Sequence, residues 1–313
     1  MSFMEQTTPA ADSAVVAPDA ELVATGPFAR ASRWSQRSGL RKEIFHPNQI
    51  MLGTALLVLV IVALWAMFPS LFTSGSPTGI SPLATLHAPS WGFPMGTDQY
   101  GRSVYTEVVY GAREALEIGF FSSLAAAIVG SAIGLISGYF GGVVDLILMR
   151  VIDMLMAIPS LLLALIFVAA LSPSVTNLIL AIAIASLPHY ARVLRGQSQQ
   201  VRSRLYVDAA TVLGVPRWKI IVRHIIPNCL APVLVLGAIG FGTAIVVGAA
   251  LAFLGLGPTG GVLNWGALIN SGQAYVDRDW WITTFPGIVL TFVVIAVNIV
   301  GDWIRDRMEP SSR

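Results

Sequence analysis

Long apolar stretches without charge alternate with short charged ones along most of this chain. The first apolar run, Ile50 to Phe68, follows Arg30, Arg33, Arg37, Arg41 and Lys42. No Asp, Glu, Lys or Arg occurs from Ile118 to Phe140, from Met154 to Ala191, or from His224 to Val276. A helix needs about 20 apolar residues to cross a bilayer, so the stretch from Met154 to Ala191 holds two crossings, and Ser172-Pro173-Ser174 divides them. Near the end of the third uncharged stretch, Gly255, Gly257, Pro258, Gly260 and Gly261 mark a loop. The pattern predicts an all-α, polytopic membrane protein with six spans, at about 50–68, 118–140, 151–171, 175–193, 228–252 and 280–300. A tail over about 1–45, disordered or weakly structured, precedes a transmembrane domain over 46–310.

Composition agrees with lipid as the solvent. Of the 313 residues, 55% are hydrophobic and only 12% charged, and the mean hydropathy is +0.73, which excludes an ordinary soluble domain. The 50–68 run is too long for a signal-peptide core and has no small-residue cleavage site after it, so it reads as a retained anchor. With the N-terminus inside, every Lys and Arg except Arg102, Arg113 and Arg278 falls in a cytoplasmic segment, and both termini are expected there. The net charge of +2 reflects this bias, and no aromatic and basic interleaving suggests nucleic acid as a partner. Cys229 is the only cysteine, which rules out an intrachain disulfide and a cysteine metal site. The two lysines, Lys42 and Lys219, follow Arg41 and Trp218, so there is no Gly-Lys-Ser/Thr phosphate loop.

Between spans four and five lies a charged segment, about 198–226. Within it Tyr206-Val-Asp-Ala-Ala-Thr-Val-Leu-Gly214 reads as a helix carrying Asp208, Ala209 and Ala210 and ended at Gly214, with Pro216 and Arg217 opening a second helix. The two alanines give a small surface able to enter a groove on another protein. This segment resembles the Glu-Ala-Ala motif of the membrane subunit of ATP-binding-cassette importers, with Asp208 in place of the usual Glu. Other stretches resemble the peptide/nickel branch of that family and its C-type permease. They are Gly96-Thr-Asp-Gln-Tyr-Gly-Arg102, Gly138-Tyr-Phe-Gly-Gly142 with Asp145, Arg150 and Asp153, Ile158-Pro159-Ser160, Phe253-Leu-Gly-Leu-Gly257, and Asn298 with Gly301-Asp302. Ser103 stands where the family usually has Asp.

Each motif also has a purely structural reading. Thr97 or Asp98 is expected to cap a short external helix beneath the docking protein, with Asp98 and Arg102 spaced as an ion pair. Arg150 and Asp153 are spaced to pair as a clamp near Asp145; a gate or proton site is the sharper alternative. Glu114 and Glu117 are expected to be solvated, and His189 to be a hydrogen-bonded packing residue, with no metal bound. Ser122, Ala126, Gly130, Gly134 and Gly138 form a small-residue face on span two, and Gly240, Ala244, Gly248 and Ala252 another on span five. Each face fits either packing within the chain or a second permease.

The resemblance implies the type I importer permease fold in the cytoplasmic membrane. It implies no catalysis and no cofactor in this chain, with ATP and Mg on two cytoplasmic ATPase subunits. It also implies a second, homologous permease and an external substrate-binding protein, with di- or oligopeptides as substrate and nickel as the alternative. A secondary carrier would need a charged relay within the spans, and an intramembrane enzyme would need more than the partial elbow at Gly196-Gln-Ser198-Gln-Gln.

Overall fold

The computed structural model describes residues 47–258 and 263–308; the expected N-terminal tail lies outside them. These residues form nine principal helices. They are α1 (Pro47–Met67), α2 (Val104–Phe140), α3 (Gly142–Met156), α4 (Ser160–Ala170), α5 (Val175–Arg202), α6 (Leu205–Val212), α7 (Arg217–Leu256), α8 (Trp265–Gly272) and α9 (Trp281–Met308). Five are long and apolar enough to cross a membrane, and the α3–α4 pair makes a sixth crossing if counted as one.

The helix directions show why the pair counts as one. Gly130 lies against Leu187 and Tyr190, and Gly138 against Arg195 and Ser198, so α2 and α5 run parallel. The chain between two parallel spans must return through the bundle, and only α3 and α4 connect them. The expected span at about 151–171 falls on two helices meeting at 89°. Pro159 stands at the bend, where it cannot continue the α3 hydrogen-bond ladder.

Both small-residue faces are used within the chain. A Cβ at Gly130 would stand 2.6 Å from the Leu187 carbonyl, and one at Gly138 would stand 2.5 Å from that of Arg195. Gly248 lies against Ile118, so α7 packs antiparallel on another side of α2. Close backbone approach of this kind supplies helix association where lipid offers no hydrophobic drive. The core clusters follow the same seams: Leu163, Leu178, Ile182 and Leu251 in one, Val108, Trp265, Trp281 and Val293 in another. Peripheral α1 touches the bundle through Val62 and Trp65 and leaves Leu57, Val60 and Leu64 exposed.

Two helices run past their expected spans. The 37 residues of α2 rise about 55 Å at ~1.5 Å each, against a hydrocarbon core of about 30 Å. Its charges, Glu107, Arg113, Glu114 and Glu117, all precede the charge-free Ile118–Phe140 part, so the first turns project beyond the membrane. At the other end of the bundle α7 is continuous from the charged Arg217 into the fifth span, through a π turn at Ile221–Ile225. The second helix of the charged hairpin and span five are thus one rod.

Candidate functional site

Helix α6 ends in a Schellman motif. The Val215 N–H donates to the Ala210 carbonyl at 3.1 Å and the Gly214 N–H to that of Thr211 at 3.0 Å, with Gly214 at φ +75°. This satisfies carbonyls that the helix end would leave unpaired. Val215 and Ala210 both pack inward, supplying the apolar contact that accompanies the motif. Pro216, expected in the first turn, is instead the N-cap: its ψ of 140° is extended, and Arg217 begins the helix.

The hairpin has two unlike faces. Inside, Val207 and Ile220 join Leu194, Val201, Ile225 and Cys229, with Leu135 and Tyr139 of α2 beside them. Outside, Leu205, Val212, Leu213 and Trp218 are large apolar side chains left exposed, Val212 at 87%. Asp208, Ala209, Gly214 and Arg217 are exposed too. Ala210 is half-buried and belongs to the inner packing, so the expected two-alanine surface is in fact Ala209 alone. One helical position is about 100°, enough to turn Ala210 inward where Ala209 points out. Asp208, Arg202 and Arg217 line a cleft between the hairpin and Tyr139 and Phe140 at the end of α2. Asp208 forms no ion pair among the described residues.

Two ion pairs join α3 to α5 at this same end. Arg195 grips Asp145 with both arms, Nε to Oδ1 at 2.5 Å and Nη2 to Oδ2 at 2.6 Å, and the Ser137 hydroxyl of α2 also donates to Oδ1. Arg192 reaches Asp153 at 2.7 Å. The expected Arg150–Asp153 clamp is not formed. Arg150 is exposed and makes no ion pair among the described residues. Exposed pairs of either kind are worth about 0.5 kcal/mol or less, so the partner that Asp153 takes follows from where the packing of α5 on α3 presents Arg192 and not from the strength of the pair. Arg192 and Arg195 entered the sequence reading only as topology signals. Their i, i+3 spacing facing two acids was the signal available. His189 is exposed on α5 and its side chain forms no hydrogen bond among the described residues, contrary to expectation.

At the far end of the bundle, Gly96, Thr97, Asp98, Gly101 and Arg102 form a turn and not a capped helix. Asp98 Oδ1 accepts the backbone N–H of Tyr100 at 2.9 Å and of Arg102 at 2.8 Å, and Oδ2 accepts Arg102 Nε at 2.7 Å. Gly101 adopts φ +73° with Ser81 packed where a Cβ would project, so no other residue fits there. The Gly101 N–H returns to the Asp98 carbonyl at 3.0 Å and Gly101 takes a positive φ, so the backbone after Asp98 reverses and no helix starts there. Ser103 takes that part, its side chain accepting from the Thr106 N–H at the head of α2.

Buried groups that the sequence did not reveal surround this turn. Arg102 Nη2 stands 3.0 Å from Glu107 Oε1, off the hydrogen-bonding direction, and both oxygens of the fully buried Glu107 lack a hydrogen bond among the described residues. Trp281 Nε1 donates to the Thr97 carbonyl at 3.1 Å and Trp265 Nε1 to that of Val108 at 2.9 Å. Glu114, expected in solvent, is 4% exposed and accepts Asn264 Nδ2 at 2.9 Å. Asn264 also caps α8, accepting from Gly266 N–H at 2.7 Å. Glu114 is buried because Asn264 and the start of α8, in an uncharged stretch that carries no span, fold back over it. Glu117 pairs with Arg113 near the surface.

Comparison with known proteins agrees with this geometry. The model of the family described as binding-protein-dependent transport system inner membrane component matches residues 130–313. The chain is similar to the dipeptide transport system permease protein DppC of Alkalihalophilus pseudofirmus, 39% identical, covering 82% of this chain and 85% of that one. It is 37% identical to the probable D,D-dipeptide transport system permease protein DdpC of Escherichia coli, covering 83% and 87% respectively. Among solved structures, an inward-facing MetNI methionine ABC transporter chain shares the fold at a TM-score of 0.51 and 16% identity, over 65% of this chain and 96% of that one. With the all-helical bundle, its parallel α2 and α5 and the capped hairpin between α5 and α7, these matches show that the chain belongs to the binding-protein-dependent transport system inner membrane component family.

Proposed function

We propose that this chain is one of two permease subunits of an importer for short peptides, driven by ATPase subunits that dock on the α6–α7 hairpin. The observation that carries the reading is the hairpin itself. Its inner face is locked into the bundle, its outer face exposes Leu205, Val212, Leu213 and Trp218, and its second helix is continuous with α7. A movement of an ATPase against such a knob passes directly into a spanning helix, as a rigid lever requires. The hairpin end is then cytoplasmic, as the Lys and Arg distribution favours, and the far end external. ATP binding favours the state in which the ATPases are closed, and the bundle rocks between inward- and outward-facing arrangements.

In this reading the chain holds no nucleotide; ATP and Mg belong to the partner ATPases. An external binding protein delivers the substrate, as the family description suggests. The relatives named for dipeptide transport support peptides as substrate over nickel. The Asp145–Arg195 and Asp153–Arg192 pairs hold α3 to α5 and keep the bent pair in register while the bundle moves.

Reconstitution of the permease pair with its ATPases in vesicles tests the proposal. Labelled dipeptide should enter the vesicles only with ATP and binding protein together. Uptake without either, or uptake of nickel and no peptide, would overturn it.

A further inference from the structure

Glu107, in the first turn of α2, is fully buried, and neither of its oxygens has a hydrogen bond among the described residues. It stands about 16 Å along the helix axis before Ile118, outside the charge-free part of α2 that crosses the membrane. One guanidinium serves two buried carboxylates here. Arg102 donates Nε to Asp98 Oδ2 at 2.7 Å and brings Nη2 to the same oxygen at 2.6 Å, while Asp98 Oδ1 accepts the backbone N–H groups of Tyr100 and Arg102. Asp98 is thereby matched in charge and in hydrogen bonds. Glu107 Oε1 meets the same Nη2 only at 3.0 Å, off the bonding direction.

With both acids ionised, this cluster would bury one negative charge more than the guanidinium balances. A buried carboxyl in that position takes up a proton instead. Burial pushes Glu107 up to about 8, with Arg102 pulling it down and Asp98 adding to the rise. Neighbouring elements supply no further counter-charge. Helices α1 and α8 carry no charged residue, His87 is exposed beside Phe93, and before α9 Asp277 and Arg278 are exposed and Asp279 half-buried. On α2 itself Arg113 pairs with Glu117, and Glu114 accepts from Asn264.

The cluster lies where three parts of the fold meet. Trp281 of α9 donates to the Thr97 carbonyl, next to Asp98, and Trp265 of α8 to that of Val108, next to Glu107. The Leu86 N–H donates to the Asp98 carbonyl and the Thr97 N–H to that of His87, which fastens the segment before α2 to the same point. A charge on Glu107 gains water only if this packing opens.

We propose that Glu107 is a proton-binding site, and that its proton keeps the segment before α2 seated against α8 and α9. A metal cation is a poorer occupant, because the Arg102 guanidinium beside the carboxyl repels it. The opened segment carries an ordinary carboxylate and the seated one a protonated acid. Opening therefore becomes easier by about tenfold per pH unit as pH rises out of the ordinary carboxylate range, and levels off above about 8. On the importer reading this end is external, so the outside pH sets the seating; that step alone rests on the reading.

The test uses the complete complex in lipid nanodiscs, with infrared spectroscopy for the protonated carboxyl and hydrogen exchange for the opening. Wild type should show a protonated-acid carbonyl band that is lost as pH rises through about 8, and Glu107→Gln should lack it. Protection factors at the Leu86 and Thr97 amides should fall about tenfold per unit between about pH 5 and 7 in wild type and stay level in Glu107→Gln. His87→Gln and Glu114→Gln should keep the wild-type slope. The absence from wild type of any protonated-acid band titrating in that range would overturn the inference, whether or not the variant assembles. So would a slope that survives in Glu107→Gln, or one that disappears in Glu114→Gln. Neither readout involves transport, so a failure of peptide uptake would remove the importer reading and leave the proton site standing. In right-side-out vesicles the band should follow the outside pH; a band that followed the inside pH would overturn the external placement.

Discussion

Replacing Gly214 with valine isolates the backbone of the hairpin elbow from everything around it. The residue holds φ +75°, and a Cβ built there meets nothing within 4 Å. The cost therefore comes from conformation and not from a clash. A non-glycine residue in the left-handed region costs about 1–2 kcal/mol, more for a β-branched one. Relief of that strain requires opening the Schellman motif, which frees the Ala210 and Thr211 carbonyls and swings Val215 out of the inner core. At about 1.4 kcal/mol per tenfold, the elbow loses roughly a five- to thirty-fold preference for its native shape. No spanning segment is touched, so membrane insertion should be normal. Gly214→Asn is the control, because asparagine tolerates this region, and it should behave nearly as wild type. The assay is binding-protein-stimulated ATP hydrolysis beside peptide uptake in the same vesicles. Full stimulation and uptake by the valine variant would refute the claim that the elbow geometry transmits coupling.

Other perturbations separate the faces of the molecule. Ala209→Trp should weaken ATPase association, read by co-purification, without changing the thermal stability of the permease. Ala210→Trp should instead overpack the inner core and lower that stability by about 1–3 kcal/mol, read by thermal unfolding in detergent. Asp208→Lys should uncouple hydrolysis from uptake, whereas Asp208→Glu should be nearly neutral in the same assay. Asp145→Asn should lower stability by about 1–2 kcal/mol, since it leaves the half-buried Arg195 without its bidentate partner; Asp153→Asn, whose pair is exposed, should cost about 0.5 kcal/mol or less. A double-mutant cycle with Arg195→Gln should show coupling for Asp145 and almost none for Asp153.

The sequence displayed whatever depends on local periodicity. Uncharged run lengths marked the long apolar helices, the small-residue spacing marked faces that pack within the chain, and Gly214 marked the end of α6. Features set by tertiary approach were hidden. Whether Asp153 pairs with Arg150 or Arg192 depends on where α5 crosses α3, and both arginines carry the same sequence signal. Glu114 looks solvated until α8 covers it, and α8 itself is an uncharged stretch too short to register as a span. The 89° bend lies at a proline inside an apolar run, and run length alone cannot distinguish a bent pair from a straight crossing. Ala209 and Ala210 differ only in the rotational phase of α6, which is set by Val207 and Val215 packing into the bundle.

Proximity of an ATPase to Ala209 is the most direct measure of the central claim, that this hairpin is where ATP-driven motion enters the bundle. Ala209→Cys in a Cys229→Ser background, in the assembled complex, should form a short cross-link to the ATPase subunit whose yield changes between nucleotide-free and ATP-bound states. A cysteine at Leu71, expected on the opposite side of the membrane, should give none. Absence of any ATPase cross-link from position 209, with the complex intact and hydrolysing ATP, would contradict the account.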